Sequence, residues 1–330
     1  MTEVLFLTSE EVRGLAEPAE YVEAVRDGYR QRGEGAAAKP RTKLVNPDPA
    51  GMLTGYMAIL PETGVMGGYQ YAAGFGDVDA HFFLPLFDVE SGRPIALLDG
   101  ASLNPYKTGA VGAVGADVLA RPDAEVVAVI GSGAQAKGQL RALDAVRGIA
   151  TVNVFSPTKD HRESFAATMN DELDAAVAAV PSSDAAVEGA DIVITATNAT
   201  EPVFDGELLE QGTHVTAMGQ YDPDKRELDA TTVANAKYVP DLRERALQDA
   251  GSFLLAREEG AVTDDDIHAE LGDIVAGNAP GRENRQEITV FDSGGTGIET
   301  VAAAAMLYER AKAEGLGQTI DFAPASEALR

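Results

Sequence analysis

Residues 127–136 read VAVIGSGAQA, an apolar run that ends in two closely spaced glycines and an alanine. Gly131, Gly133 and Ala136 match the G-x-G-x-x-G/A spacing, with Ser132, Ala134 and Gln135 filling the turn. The run before them is a buried strand by composition, and AQAKGQLRALDAVRG after them is an amphipathic helix ending at Gly148. In that setting the glycines permit a tight turn and close approach of backbone to a pyrophosphate, whose charge meets the N–H groups of the helix N-terminus. The alternative is a merely structural glycine turn. The repeated strands that follow, TVNVFS, DIVITAT, THVTAMG, AKYVP and EITVFDS, alternate with helical or turn-rich sequence. This pattern points to an α/β protein with a doubly wound parallel sheet of the Rossmann type.

The first third has another texture. Residues 9–31 read as two helical pieces, and MLTGYMAIL, VMGGYQYAAG and HFFLPLFDV read as short aromatic or β-branched strands of an antiparallel sheet. GIETVAAAAMLYERAKAEG near the end is one long helix able to return the chain to this first region. The expected layout is therefore discontinuous. Residues 1–120 plus 305–330 form a smaller α+β substrate-binding and dimerisation domain, and residues 121–304 form a dinucleotide-binding domain inserted into it. The aromatic-rich strands are too few to bury both faces alone, which predicts a homodimer.

Charge narrows the partners. The chain carries 53 acidic against 26 basic residues, a formal net charge of −27 spread through otherwise periodic segments. Such a surface repels phosphate backbones, so nucleic acid is not an expected partner. The balance matches a salt-accumulating cytoplasm, where screening relieves carboxylate repulsion; an ordinary acidic cytosolic protein is the alternative. No uninterrupted apolar run approaches the roughly 18 residues of a membrane span. The N-terminus lacks the basic region of a signal peptide, so a cytoplasmic location is expected. With no cysteine, thiolate catalysis and Cys-based zinc sites are excluded. The four histidines have no ligand spacing, and Asp77, Asp79 and His81 read as a solvated loop, so no metal site is expected.

The tip of the second strand of the unit distinguishes cofactors. An NAD-preferring site places a carboxylate there to accept from the ribose 2′-OH. Here SPTKDHR puts Ser156 at the tip, with Thr158, Lys159 and Arg162 behind it. Hydroxyls and cations suit a 2′-phosphate, so NADP(H) is favoured over NAD(H). Asp160, in a shifted turn, would favour the reverse.

Taken in order, KPRT, VIGSGAQAKGQ, GADIVITATNATEPVF, THVTAMGQYDPDKREL and ITVFDSGGTGIET resemble the ornithine cyclodeaminase/μ-crystallin family, which includes archaeal-type alanine dehydrogenases and ketimine reductases. The resemblance spans nearly the whole chain. It implies a two-domain homodimer with the non-Rossmann sheet at the subunit interface and the reaction beside the nicotinamide. It places Thr108, Thr197, Asn198, Met218, Gly219, Ser293 and Gly294 among the cofactor-facing positions and makes Arg41 the anchor of a substrate carboxylate. It also implies three departures. Where members with amino-acid chemistry have an Asp, a Lys and an Arg, this chain has Tyr221, Tyr69 and Lys107.

A tyrosine titrates near pH 10, so Tyr221 is a donor and a poor base. Asp222 next to it is either a substitute acid or base, or the start of a solvent-facing Asp-Pro turn. Tyr69 and Lys107 are either proton donors, the hydroxyl acidified by the ammonium, or a packing residue and an anion contact. The implied activity is NAD(P)-dependent reduction of a small imine or oxo acid, by ketimine reduction or reductive amination. The alternatives are ornithine cyclodeamination and a non-catalytic NADP(H)-binding protein.

Overall fold

The computed structural model describes residues 1–327, and the chain divides into two compact units. One comprises Met1–Lys107 and the chain from Thr296 onward; the other is Thr108–Gly295. The last three residues of the expected range 305–330 lie outside the described residues.

The first unit opens with β1 (Thr2–Leu7), α1 (Ser9–Val12) and α2 (Pro18–Gly33). The strands β2 (Thr42–Pro47), β3 (Ala50–Leu60), β4 (Val65–Ala73), β5 (Phe83–Asp88) and β6 (Pro94–Asp99) follow, and α3 (Asn104–Leu119) begins in this unit. Its seven-stranded sheet runs β14-β1-β6-β5-β4-β3-β2, where β14 is Gln318–Phe322. Pairing from β2 to β6 is antiparallel, but β1 joins β6 in parallel. The sheet is thus mixed, and β1, β2, β6 and β14 were not expected from the sequence.

The second unit continues from α3 with β7 (Val126–Ile130), α4 (Ala134–Asp144), β8 (Thr151–Phe155), α5 (Lys159–Glu172), β9 (Ala176–Ala179), α6 (Ser183–Val187), β10 (Ile192–Thr195) and β11 (His214–Ala217). It closes with α7 (Ala230–Asn235), β12 (Ala236–Pro240), α8 (Arg243–Asp249), α9 (Gly251–Glu258), α10 (Leu271–Val275) and β13 (Ile288–Asp292). Its sheet, β12-β13-β11-β10-β7-β8-β9, is parallel throughout. Strand order reverses between β7 and β10, which is where a doubly wound sheet opens a ligand crevice at its carboxyl edge. Helix α4 stops at Asp144, short of the predicted Gly148. Arg147 instead donates to the carbonyls of Ala116, Asp117 and Arg121 around the end of α3.

The joints lie at 107/108 and 295/296, where the sequence places them at 120/121 and 304/305. Close packing explains both shifts. A Cβ on Gly109 would strike the Gly138 carbonyl of α4, and one on Gly115 would lie 2.6 Å from the Phe291 ring, so α3 beyond Lys107 belongs to the second core. Helix α11 (Gly297–Glu314) starts against β3, because a Cβ on Gly297 would strike the Met57 backbone. Among the described residues, no helix is long and apolar enough to cross a membrane.

Candidate active site

In the second unit, Gly131 leaves β7 with φ +118°, a conformation that favours glycine, and its N–H donates to the Phe155 carbonyl. A Cβ at Gly131 would strike the carbonyl oxygen of Ala196 and lie 3.5 Å from Thr197 Cγ2, so the turn closes directly on the tip of β10. Gly133 is the N-cap of α4, and a Cβ there would meet nothing within 4 Å. An open cradle at the N-terminus of an eleven-residue helix fits a pyrophosphate.

Ser132 Oγ donates to Ser156 Oγ at 3.0 Å, tying the glycine turn to the tip of β8. Arg162 donates to the Ser156 carbonyl at 2.8 Å and stacks over Phe155, while Thr158 is the N-cap of α5. Lys159 is exposed and pairs with Glu163 along the helix. Gln135 and Ala136 lie in the first turn of α4, and the Thr108 carbonyl accepts from Gln139 behind that helix.

At the other strand tips, the positions assigned to the cofactor are tied to buried carboxylates. Thr197 donates its N–H and hydroxyl to Glu227 Oε1 at 2.7 and 2.6 Å, while Thr195 Oγ1 and the Gly219 N–H donate to Oε2 at 3.0 and 2.8 Å. The Met218 N–H goes to the Thr195 carbonyl. Likewise Ser293 Oγ and the Gly294 N–H donate to Asp241 Oδ2, whose other oxygen receives Leu242 N–H and Arg245 Nε. These donors face inward to buried carboxylates. Asn198 alone of the set is exposed.

Tyr221 packs beside Gly294, whose Cβ position lies 3.3 Å from Tyr221 Cβ. Asp222 accepts from the Asp224 N–H and pairs with Lys225 at 3.3 Å, which is the turn reading of that residue.

In the first unit, Arg41, Tyr56, Tyr69 and Lys107 are all buried and cluster together. The Arg41 guanidinium lies 5.2 Å from the centroid of the Tyr56 ring. Lys107 Nζ stands 5.4 and 5.3 Å from the Tyr56 and Tyr69 ring centroids and donates to Tyr56 Oη at 3.3 Å. Its counterion is Glu299, which also receives the Thr296 N–H at the start of α11 and the Tyr29 hydroxyl. Burial pulls the Lys107 pKa down, but Tyr56 and Glu299 outweigh it and the ammonium is held.

Tyr69 donates to the Gly100 carbonyl at 2.7 Å and packs against Tyr56, Tyr71 and Phe82. Burial, with Tyr56 and Glu299 nearby, pushes its hydroxyl well above the ordinary phenol range. The expected acidification by Lys107 is therefore reversed, because desolvation of a phenolate outweighs the ammonium. The sequence reading missed Tyr56, Glu227, Asp241 and Glu299. Only Glu299 had a signal, the T-x-x-E capping box from Thr296.

The model of the ornithine cyclodeaminase/mu-crystallin family matches residues 2–315. The chain belongs to that family. Among its relatives, Δ1-pyrroline-2-carboxylate reductase of Bacillus cereus is 40% identical over 72% of this chain and 73% of its own. The structure of Thermococcus litoralis Δ1-pyrroline-2-carboxylate reductase with NADH and L-proline superposes with a TM-score of 0.91 at 32% identity, covering 96% of this chain and all (100%) of that one. An archaeal alanine dehydrogenase dimer with bound NAD gives the same score, 0.91, at 32% identity over 98% of this chain and 100% of its own. This family member is an NAD(P)-dependent oxidoreductase, and imine reduction is the chemistry that fits it.

Proposed function

We propose that the protein reduces a cyclic 2-imino acid of the Δ1-pyrroline-2-carboxylate class to the corresponding amino acid, with NADPH preferred over NADH. The observation that carries this reading is the state of the carboxylate among Arg41, Tyr56, Tyr69 and Lys107. That carboxylate, Glu299, is 0% exposed and is committed to Lys107, Tyr29 and Thr296. Asp222 in the second unit is committed to its turn and to Lys225.

Ornithine cyclodeamination needs a base at an amine-bearing carbon, and these carboxylates are poorly placed to act as one. A protonated imine brings its own proton and needs an anchor for its carboxylate. Arg41, buried beside the Tyr56 ring, is the group we assign to that anchor, by a charge-assisted pair. Lys107 stabilises negative charge nearby, and Tyr69 acts as a wall. Reduced nicotinamide, when bound, supplies the hydride. The turn Gly131–Ala136 would hold its pyrophosphate.

Preference for NADPH is supported by Arg162, held at the tip of β8 by the Ser156 carbonyl, and by the absence of a carboxylate at Ser156 itself. A homodimer is supported by Leu53, Met57, Ile59 and Phe83, large apolar side chains left exposed on the strands of the first unit. The acidic balance supports a salt-rich cytoplasm as its setting. The second reading, an NADP(H)-binding protein without turnover, is favoured by the sealing of Tyr69 and Lys107 against Gly100 and Glu299.

The deciding experiment follows NADPH and NADH absorbance with Δ1-pyrroline-2-carboxylate, Δ1-piperideine-2-carboxylate, and pyruvate plus ammonia, beside ammonia release from ornithine. Oxidation with the cyclic imines, with KM raised about ten- to a hundredfold in Arg41→Met, supports the proposal. Turnover of ornithine, or silence with every imine while NADPH binds, overturns it.

A further inference from the structure

The geometry points to Glu227 as a positioning residue that fixes the wall of the dinucleotide crevice on the nicotinamide side. The inference rests on the dinucleotide reading above but not on the identity of the imine. Glu227 lies in the chain that returns after β11 and is 1% exposed. Its two oxygens gather donors from two strand ends: Thr195 and Thr197 at β10, and Gly219 just beyond β11. Carboxylates accept four such bonds at full capacity. A Cβ at 219 would strike the carboxylate itself and displace the clamp.

The clamp is one contact removed from the crevice. Thr197 faces the place where Gly131 turns, with Cγ2 3.5 Å from the Gly131 Cβ position. Gly131 and Ser132 are held from the other side, by the Phe155 carbonyl and by Ser156 at β8. The two walls therefore have separate supports. In a doubly wound sheet the strands on one side of the reversal take the adenosine half and those on the other side take the second nucleotide. Here β7 and β8 form the first wall, and β10 with β11 forms the second, the side that would take the nicotinamide half, with Gly219, Gln220 and Tyr221 following β11. Gln220 reinforces the same wall, donating to the carbonyls of Thr197 and Ala199. Replacing one acceptor oxygen of Glu227 should loosen the second wall and leave the first intact.

The test compares ligands by calorimetry on the full chain: NADPH, NADH, and the halves 2′,5′-ADP and ADP. Glu227→Gln keeps the side-chain volume but replaces one acceptor oxygen by a donor, leaving either Gly219 or Thr197 opposed by an N–H. Expected is a loss of about ten- to a hundredfold in affinity for the whole dinucleotide, with the half ligands changed by less than about threefold. Hydrogen exchange at the amides of Thr197 and Gly219 should rise in the same variant. Thr197→Val, which removes the hydroxyl bond and keeps the carboxylate, serves if Glu227→Gln fails to fold, and should show the same split at smaller amplitude. Equal weakening of whole and half ligands, or no weakening of either, overturns the assignment. Failure of the wild type to bind any dinucleotide would instead overturn the cofactor reading beneath it.

Discussion

Lys107 Nζ stands 3.5 Å from Glu299 Oε1, and the two side chains are 2% and 0% exposed. One partner begins the helix that leaves the first unit, and the other opens the helix that re-enters it. Removing either member leaves the other charge buried without its counterion. Lys107→Met is expected to cost about 3–5 kcal/mol of stability, and the double variant Lys107→Met/Glu299→Gln to recover most of it. Urea unfolding of the single and double variants measures this. Additive losses would mean that the pair is not coupled.

The two glycines of the turn should separate folding from binding. Gly131→Ala must adopt φ +118° and push against the Ala196 carbonyl, so both melting temperature and NADPH binding should fall. Gly133 already has φ −82°, and a Cβ there meets no protein atom within 4 Å. Gly133→Ala should melt within a degree or two of wild type, since surface-compatible changes cost about ±0.5 kcal/mol, yet lose NADPH because the methyl fills the cradle. Unchanged binding in Gly133→Ala would show that the pyrophosphate does not sit there.

His214 supplies a pH dependence of definite sign. It is buried on β11, with its two ring nitrogens bonded to Thr289 and Thr216, and burial drives its pKa from 6.5 to about 3. The folded chain then binds fewer protons than the unfolded chain between these values. Its contribution is complete above pH 6.5 and is lost as the pH falls toward about 3. Between pH 7 and 5 this one group removes about 2 kcal/mol. Denaturant titrations at both pH values should show His214→Gln losing less stability on acidification than wild type. Parallel losses would place the acid sensitivity elsewhere.

The apolar strand face and the net charge of −27 make a joint prediction about assembly and salt. Melting temperature should climb between low salt and about 1 M, where the Debye length is about 3 Å, as carboxylate repulsion is screened. Met57 is 69% exposed, and Met57→Asp should turn a dimer into a monomer by light scattering at that salt. A wild type that is monomeric at high salt, or a flat melting profile, contradicts the corresponding half.

What was legible followed from local periodicity. The strands β7 and β10 are near-continuous apolar runs, β8, β11, β12 and β13 mix β-branched or aromatic residues with polar ones, and the glycine turn between β7 and α4 carries its own spacing. Strands with weaker patterns escaped: β9 is four residues with all three alanines exposed or half-exposed, and β14 is largely exposed. The domain joints were misplaced because small residues on α3, such as Gly109 and Gly115, look alike whether they face one core or another. At the site, the family resemblance singled out Arg41, Tyr69 and Lys107 by position but gave nothing of their surroundings. Glu227 and Asp241 read as ordinary acidic residues in polar stretches. Their importance lies in which distant N–H groups converge on them, and neither periodicity nor a motif encodes that convergence.

The inward-facing donors of Thr197, Gly219, Ser293 and Gly294 bear on how this scaffold can change over time. The edge of the sheet is locked onto Glu227 and Asp241 by main-chain N–H groups of Thr197, Gly219 and Gly294 together with the Thr195, Thr197 and Ser293 hydroxyls, so its shape depends little on the residue at position 221. Position 221 can then be exchanged, from the aspartate implied by the family resemblance to the tyrosine found here, without re-engineering the strand that displays it. A designer seeking a new amine or imine product should therefore leave those two carboxylates and Gln220 alone and vary Asn198 and Tyr221.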